Sequence, residues 1–214
     1  MNDYTESFNY SLGDKYEIED LDNRRLFLNG YIGEDTVSYI TYHILRYNRD
    51  DESIPIEERE PIKLFINSEG GNIPDGLSVC SAIKCSDTPV YTINIGKANS
   101  MAFLIFITGW LRFTLPYSEF MLHDGLYADN DSIMKVGDRL EFYKGQLTGL
   151  QQELILNNST LSKSKYRSNI RKDWYMLPKE AQELGFVDNI LGTDCSLDSM
   201  YWKIQIDKIE KEGE

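Results

Sequence analysis

The sequence holds two histidines, His43 and His123, and three cysteines, Cys80, Cys85 and Cys195, among 214 residues. So few imidazoles leave little material for a metal site or for competing acid–base schemes. The odd number of thiols contains no C-x-x-C pair of metal-ligand spacing, so buried, reduced cysteines are expected. Positive charge is scarce too: 22 Lys and Arg against 35 Asp and Glu give a formal net charge of -13. That balance excludes non-specific binding to nucleic acid or to an anionic membrane, both of which are themselves negative. No apolar run approaches the roughly 20 residues of a membrane-spanning helix. No G-x-x-x-x-G-K-[ST] loop is present to cradle a nucleotide phosphate. Met1 to Tyr16 carries three acidic residues against one lysine, with neither a secretory apolar region nor an arginine-rich transit pattern. The expected setting is cytoplasmic.

What is present is an ordinary soluble composition, 41% hydrophobic and 27% charged, long enough for one domain with a real core. The start of the chain, to about residue 20, lacks periodicity, and 1–17 is read as a flexible arm. Arg25 to Leu28 reads as a strand closed by Asn29-Gly30. Asp35 then caps a helix with Val37, Ile40 and Ile44 at spacings of three and four. His43 lies beside that stripe and reads as a boundary histidine. The acidic stretch 48–61, with two prolines, reads as a loop. Ile62 to Asn67 is a short strand followed directly by Ser68-Glu69-Gly70-Gly71. A glycine pair there forms either a plain turn or a backbone whose amides face a ligand. Pro74 opens a buried helix through Leu77, Val79, Ala82 and Ile83.

The next unit repeats this form. Pro89 to Ile95 is apolar, Gly96-Lys-Ala-Asn-Ser100 makes a small-residue turn, and Met101 to Ile107 is an apolar helix with Ser100 at the joint. A serine there is either a helix N-cap or a nucleophile beside backbone N–H groups able to hold an oxyanion. Two successive strand–turn–helix units place their helix N-termini at one edge of a parallel sheet, where ligands bind. Leu111 to Leu115 and Glu119 to His123 read as strands around Pro116. His123, at the end of the second, is structural or is the general base.

From Ser132 to about Asn158 one helix carries Ile133, Val136, Leu140, Tyr143, Leu147, Leu150 and Leu154 at alternating spacings of three and four, the pattern of a coiled-coil seam. At 1.5 Å per residue it is roughly 35 Å or more in length, enough to project from a compact body. Gly145 and Gly149 lie off that stripe, either tolerated in a core helix or admitting another backbone. A helix over Ser162 to Ile170 is broken by Asp173-Trp174-Tyr175-Met176. Pro178 begins another helix ending at Gly185, and Val187 to Leu191 is the last strand. In the tail, 193–214, Tyr201, Trp202, Ile204 and Ile206 form a candidate peripheral strand.

Ser100, His123 and Asp173 thus follow a Gly-Gly oxyanion candidate in the order nucleophile, base, acid. The order alone proves little, because the same chemistry occurs in several chain orders. The absence of a G-x-S-x-G elbow argues against an α/β-hydrolase. Five blocks taken together resemble the caseinolytic (Clp) protease proteolytic subunit family: Arg25-Leu-Phe-Leu-Asn-Gly-Tyr-Ile; Leu64-Phe-Ile-Asn-Ser-Glu-Gly-Gly; Gly96-Lys-Ala-Asn-Ser-Met; Leu115-Pro-Tyr-Ser-Glu-Phe-Met-Leu-His; and Arg171-Lys-Asp through Pro178-Lys-Glu-Ala-Gln-Glu-Leu-Gly-Phe-Val-Asp. The resemblance covers about residues 18–192. It implies a crotonase-like α/β fold, with stacked β-sheets, surrounding helices and a projecting handle over about 124–158. It also implies a serine endopeptidase in which Ser100 attacks the scissile carbonyl, His123 takes its proton and Asp173 orients the imidazole. The N–H groups of Gly71 and Met101 would form the oxyanion hole. Peptides or unfolded proteins would be the substrates, with no metal or cofactor. Subunits would form two stacked heptameric rings, and ATP would be used only by a partner AAA+ unfoldase.

This sequence departs from the family's pattern at Asn99, where a small residue is usual. Asp124-Gly125 replaces the family's Gln-Pro, and Leu126-Tyr-Ala-Asp-Asn-Asp replaces a glycine-rich strand. None of these changes removes a catalytic group. Three other functions share parts of the pattern: a non-catalytic ring subunit, a viral processing protease of the same fold, and a crotonase-type acyl-CoA enzyme. The last leaves Ser100, His123 and Asp173 together unexplained.

Overall fold

The computed structural model describes residues 12–125 and 131–201. Most of the amino-terminal arm, the stretch 126–130 that begins the handle, and the tail positions Trp202, Ile204 and Ile206 lie outside the described residues. In chain order the elements are α1 (Leu12–Asp22), β1 (Arg25–Ile32), α2 (Glu34–Asp50), β2 (Ile62–Gly71), α3 (Ile73–Lys84), β3 (Val90–Asn99), α4 (Met101–Ile107), β4 (Leu111–Thr114) and β5 (Glu119–Leu122). A long helix follows as α5 (Ile133–Phe142), a π turn (Tyr143–Leu147) and α6 (Thr148–Asn157). Then come α7 (Lys163–Asn169), β6 (Trp174–Met176), α8 (Pro178–Glu183) and β7 (Asn189–Ile190).

The alternation of strand and helix produces a parallel sheet in the order β1-β2-β3-β4-β7, as short right-handed crossovers dictate. β3 is the branch point. Tyr91 to Asn94 pair with β4, whereas Lys97 to Asn99 pair with β5, which pairs in turn, antiparallel, with β6. Between the two partners the ladder is interrupted, and the Asn94 side chain supplies the missing bonds. Its Nδ2 donates to the Glu119 carbonyl at 2.9 Å and its Oδ1 accepts from the Gly96 N–H at 3.0 Å. Buried backbone groups must be paired somewhere, so an amide side chain at the fork lets one strand serve two partners.

The core lies under that fork. Every residue of α4, from Met101 to Ile107, is buried. Phe103 meets Phe120 and Phe186 edge-on, with centroids 6.1 and 4.9 Å apart, and Phe106 and Ile155 belong to the same cluster. A second cluster on the other side of the sheet joins Tyr91, Ile93, Phe113, Leu191 and Met200.

Several expectations change. The arm is helical from Leu12, because Leu21 packs on the core, its carbonyl accepts from the Tyr47 hydroxyl at 2.7 Å, and Asp20 pairs with Arg25. One packed residue is too little to show as sequence periodicity. Helix α2 starts at Glu34 behind Gly33, without a side-chain cap, rather than at Asp35. Strands β1, β2 and β3 each run four residues beyond their expected ends, so the glycine pair closes β2 and Asn99 closes β3. Cys80 is buried, but Cys85 is exposed and Cys195 half-buried. Within the tail, Met200 packs on the sheet from a short 3-10 turn, Leu197–Tyr201.

The long helix departs from its expected seam. The π turn inserts one extra residue, so positions after it rotate by one. Ile155 is fully buried in place of Leu154, and Leu150 is 40% exposed. Ile133 and Met134, at the beginning, are 89% and 75% exposed.

Candidate active site

Strand register brings the three candidate residues together. In the parallel β3–β5 pair Asn99 lies beside Met121, so Ser100 emerges beside the end of β5, and its N–H donates to the Met121 carbonyl at 2.8 Å. In the antiparallel β5–β6 pair Leu122 faces Trp174; one step beyond the ladder, His123 therefore faces Asp173. The Ser100 Oγ lies 2.7 Å from His123 Nε2, and His123 Nδ1 lies 3.2 Å from Asp173 Oδ1. With its proton on Nδ1, on the side of the Asp173 carboxylate, the imidazole accepts from the serine hydroxyl through Nε2. The Asp173 side chain is 59% exposed and that of His123 22%, so the acid sits at the wet rim of the site.

Ser100 occupies the N-cap position of α4 without capping it. Its side chain makes no cap hydrogen bond, and its backbone takes φ 55° and ψ -119°. A non-glycine residue there carries strain on the order of 1–3 kcal/mol, and the conformation turns the hydroxyl away from the helix toward His123. The Ser100 side chain therefore does not cap α4, and its hydrogen-bond partner is His123.

Ser68 shapes the glycine pair. Its hydroxyl donates to the Gly30 carbonyl at 2.5 Å and accepts from the Gly70 N–H at 3.0 Å, and Glu69 is tied to Lys97. Gly70 has φ +102°, and a Cβ there would lie 2.8 Å from both the Asn99 carbonyl and Ser100 Cβ, and 3.1 Å from the Met101 nitrogen. At Gly71 a Cβ would lie 2.4 Å from the Ile32 carbonyl. Glycine at 70 lets this backbone lie against the Ser100–Met101 peptide, and glycine at 71 lets it lie against Ile32 of β1. As the first residue of α4, Met101 has an N–H with no acceptor inside its own helix.

A cleft of about 480 Å³ opens from these groups. Ile73, Leu77, Met101, Leu104, Leu140, Tyr143 and Leu147 supply its apolar walls, and Asp124 and Lys144 are its charged lining residues. The long helix forms one side. The departure at Asn99 is only half satisfied: its Nδ2 donates to Oε1 of Glu119, the first residue of β5, at 2.8 Å, while its Oδ1 is buried without a hydrogen-bond partner.

Residues 15–194 match the family model for Clp protease. The chain belongs to the Clp protease family. It is 29% identical over 148 residues to the ATP-dependent Clp protease proteolytic subunit 2 of Borreliella burgdorferi, an alignment covering 67% of this chain and 73% of that relative. Its mixed α/β architecture, with a parallel sheet flanked by helices, is the Clp protease fold. Among the described residues, no helix is long and apolar enough to cross a membrane.

Sequence reasoning missed Gln151 in this Clp-family site. It lines the cleft, and its Nε2 donates to the His123 carbonyl at 2.8 Å. On the expected seam the inward position was Leu150. Nothing in the sequence marks the π turn that exchanges the two.

Proposed function

We propose that the chain is a serine endopeptidase, the proteolytic core subunit of a Clp-type barrel protease, acting on peptides and unfolded proteins. The single observation that carries this reading is the 2.7 Å contact between Ser100 Oγ and His123 Nε2 at a strained joint. Ser100 attacks the scissile carbonyl as its proton passes to Nε2. Asp173 holds the imidazole in the required tautomer and stabilises the imidazolium. The negative oxygen of the tetrahedral intermediate is held by the N–H groups of Gly71 and Met101, which stabilise it more than the neutral ground state. Collapse releases the amine, protonated by His123, and leaves an acyl-Ser100 ester. Water, activated by the same imidazole, then regenerates the hydroxyl. The scheme uses no metal or cofactor.

The apolar walls of the cleft suit a peptide side chain beside the scissile bond. Assembly into two stacked heptameric rings accounts for Ile133 and Met134, apolar side chains left in solvent at the start of the long helix. ATP belongs to a partner AAA+ unfoldase, which would feed the chamber with unfolded chain.

The test is intact mass after exposure to a fluorophosphonate, with particle size recorded on the same sample. One adduct per chain, absent in Ser100→Ala, is expected. A fully assembled particle that takes no adduct would overturn the catalytic reading in favour of a scaffold subunit.

A further inference from the structure

We infer that Gln151 is a positioning residue for His123, an assignment that rests on the peptidase reading above. The peptide unit between His123 and Asp124 is gripped at both ends. Its carbonyl accepts from Gln151 Nε2 at 2.8 Å, and its N–H donates to the Ile170 carbonyl at 2.7 Å. Ile170 lies three residues before Asp173, so the second bond ties the base to the segment bearing the acid. The first ties it to the long helix.

His123 needs such a grip. β5 ends at Leu122 and β6 begins at Trp174, so neither His123 nor Asp173 has ladder bonds fixing its backbone. The chain turns through Asp124-Gly125 immediately afterwards, and Gly125 has φ +89°. A strand end leading into a glycine turn is free to rotate unless side chains restrain it. Rotation of the 123–124 peptide would swing the imidazole on its Cα and lengthen both the contact with Ser100 and the contact with Asp173. Gln151 opposes that rotation from a helix whose adjacent turn is anchored by fully buried Ile155. The π turn brings both residues to the inward face, so the same local irregularity places the anchor and the restraint.

A glutamine lining the cleft also suits direct binding of peptide, and the two roles separate kinetically. Loss of positioning lowers the rate of chemistry at every substrate, including a small probe that makes no peptide contacts. Loss of a binding contact raises KM and spares the probe.

The experiment compares fluorophosphonate labelling rates and peptide kcat and KM for the wild-type full chain, Gln151→Met and Gln151→Glu. Both variants keep the side-chain length and helix propensity; Met removes the donor, and ionised Glu replaces it with an acceptor. We expect labelling and kcat to fall about tenfold or more in both, since small misplacement of a reacting group is costly, with KM within about twofold and particle size unchanged. Unchanged labelling in either folded variant, or a change confined to KM, overturns the positioning role while leaving the peptidase reading intact. A fully assembled wild-type particle that takes no label overturns both. The Glu variant decides the matter if Met at this position costs the chain its fold.

Discussion

Two glycines and a serine do at residue scale what no larger feature of the molecule can do for them. Ser100 holds a positive φ that aims its hydroxyl at the imidazole, and Gly70 lies so close that a single methyl would press on Asn99 and Ser100 at 2.8 Å. Gly70→Ala should therefore push the glycine loop away from the Met101 N–H and misplace the oxyanion donors. The expected loss is roughly a hundredfold in peptide hydrolysis with the assembly intact, measured by peptidase assay beside light scattering. Activity within a few fold of wild type would show that the loop has room to give. The need for glycine here was legible in the sequence only as a pair after a strand. That it abuts the nucleophile follows from β2 and β3 being neighbours.

At the scale of elements, the acidic stretch after α2 illustrates what charge counting misses. Asp51, in a segment read as a loop, is 1% exposed and accepts two bonds of 2.6 Å from Arg24 and one of 2.8 Å from Thr88. Arg24 itself has a positive φ between α1 and β1, so this ion pair pins the entry to the sheet onto the end of α2. Burial alone would raise the Asp51 carboxyl; the hydrogen bonds from Arg24 and Thr88, with the charges of Arg24 and Arg59, outweigh it and hold the carboxyl below its usual range. A depressed folded-state value means a stabilising contribution that is complete above the ordinary carboxylate range, near 4, and lost as pH falls through the lower folded value. Asp51→Ala should cost roughly 3 kcal/mol at pH 7, because it strands a largely buried guanidinium. Urea titrations at pH 7 and again below pH 4 should show the gap between variant and wild type closing with acid. A gap that persists at low pH would mean that packing, not the ion pair, carries the effect.

At the scale of the whole molecule, the long helix is the element least explained by a single chain. Its second half packs on α4 and closes the cleft, whereas α5 has no buried residue. If α5 is the surface through which rings meet, Ile133→Asp combined with Met134→Asp should shift the particle to a smaller mass in light scattering while leaving the fold of each subunit intact. An unchanged mass would place the assembly contact elsewhere. Loss of peptidase activity in step with loss of size would further tie assembly to the geometry that Gln151 maintains.

The strand–turn–helix order, the apolar α4, the Gly-Gly turn and the identities of Ser100, His123 and Asp173 were all determined by local sequence, because each is a pattern of neighbouring residues. The helical start of the arm, the fork of the sheet at Asn94, the burial of Asp51 and the inward turn of Gln151 were decided by the tertiary structure. Each depends on a partner more than twenty residues away or on a backbone irregularity without a residue signature. The distance between Ser100 and His123 belongs to both. Sequence supplied the two groups, and the register of β3 on β5, which only the packed sheet defines, brought them to 2.7 Å.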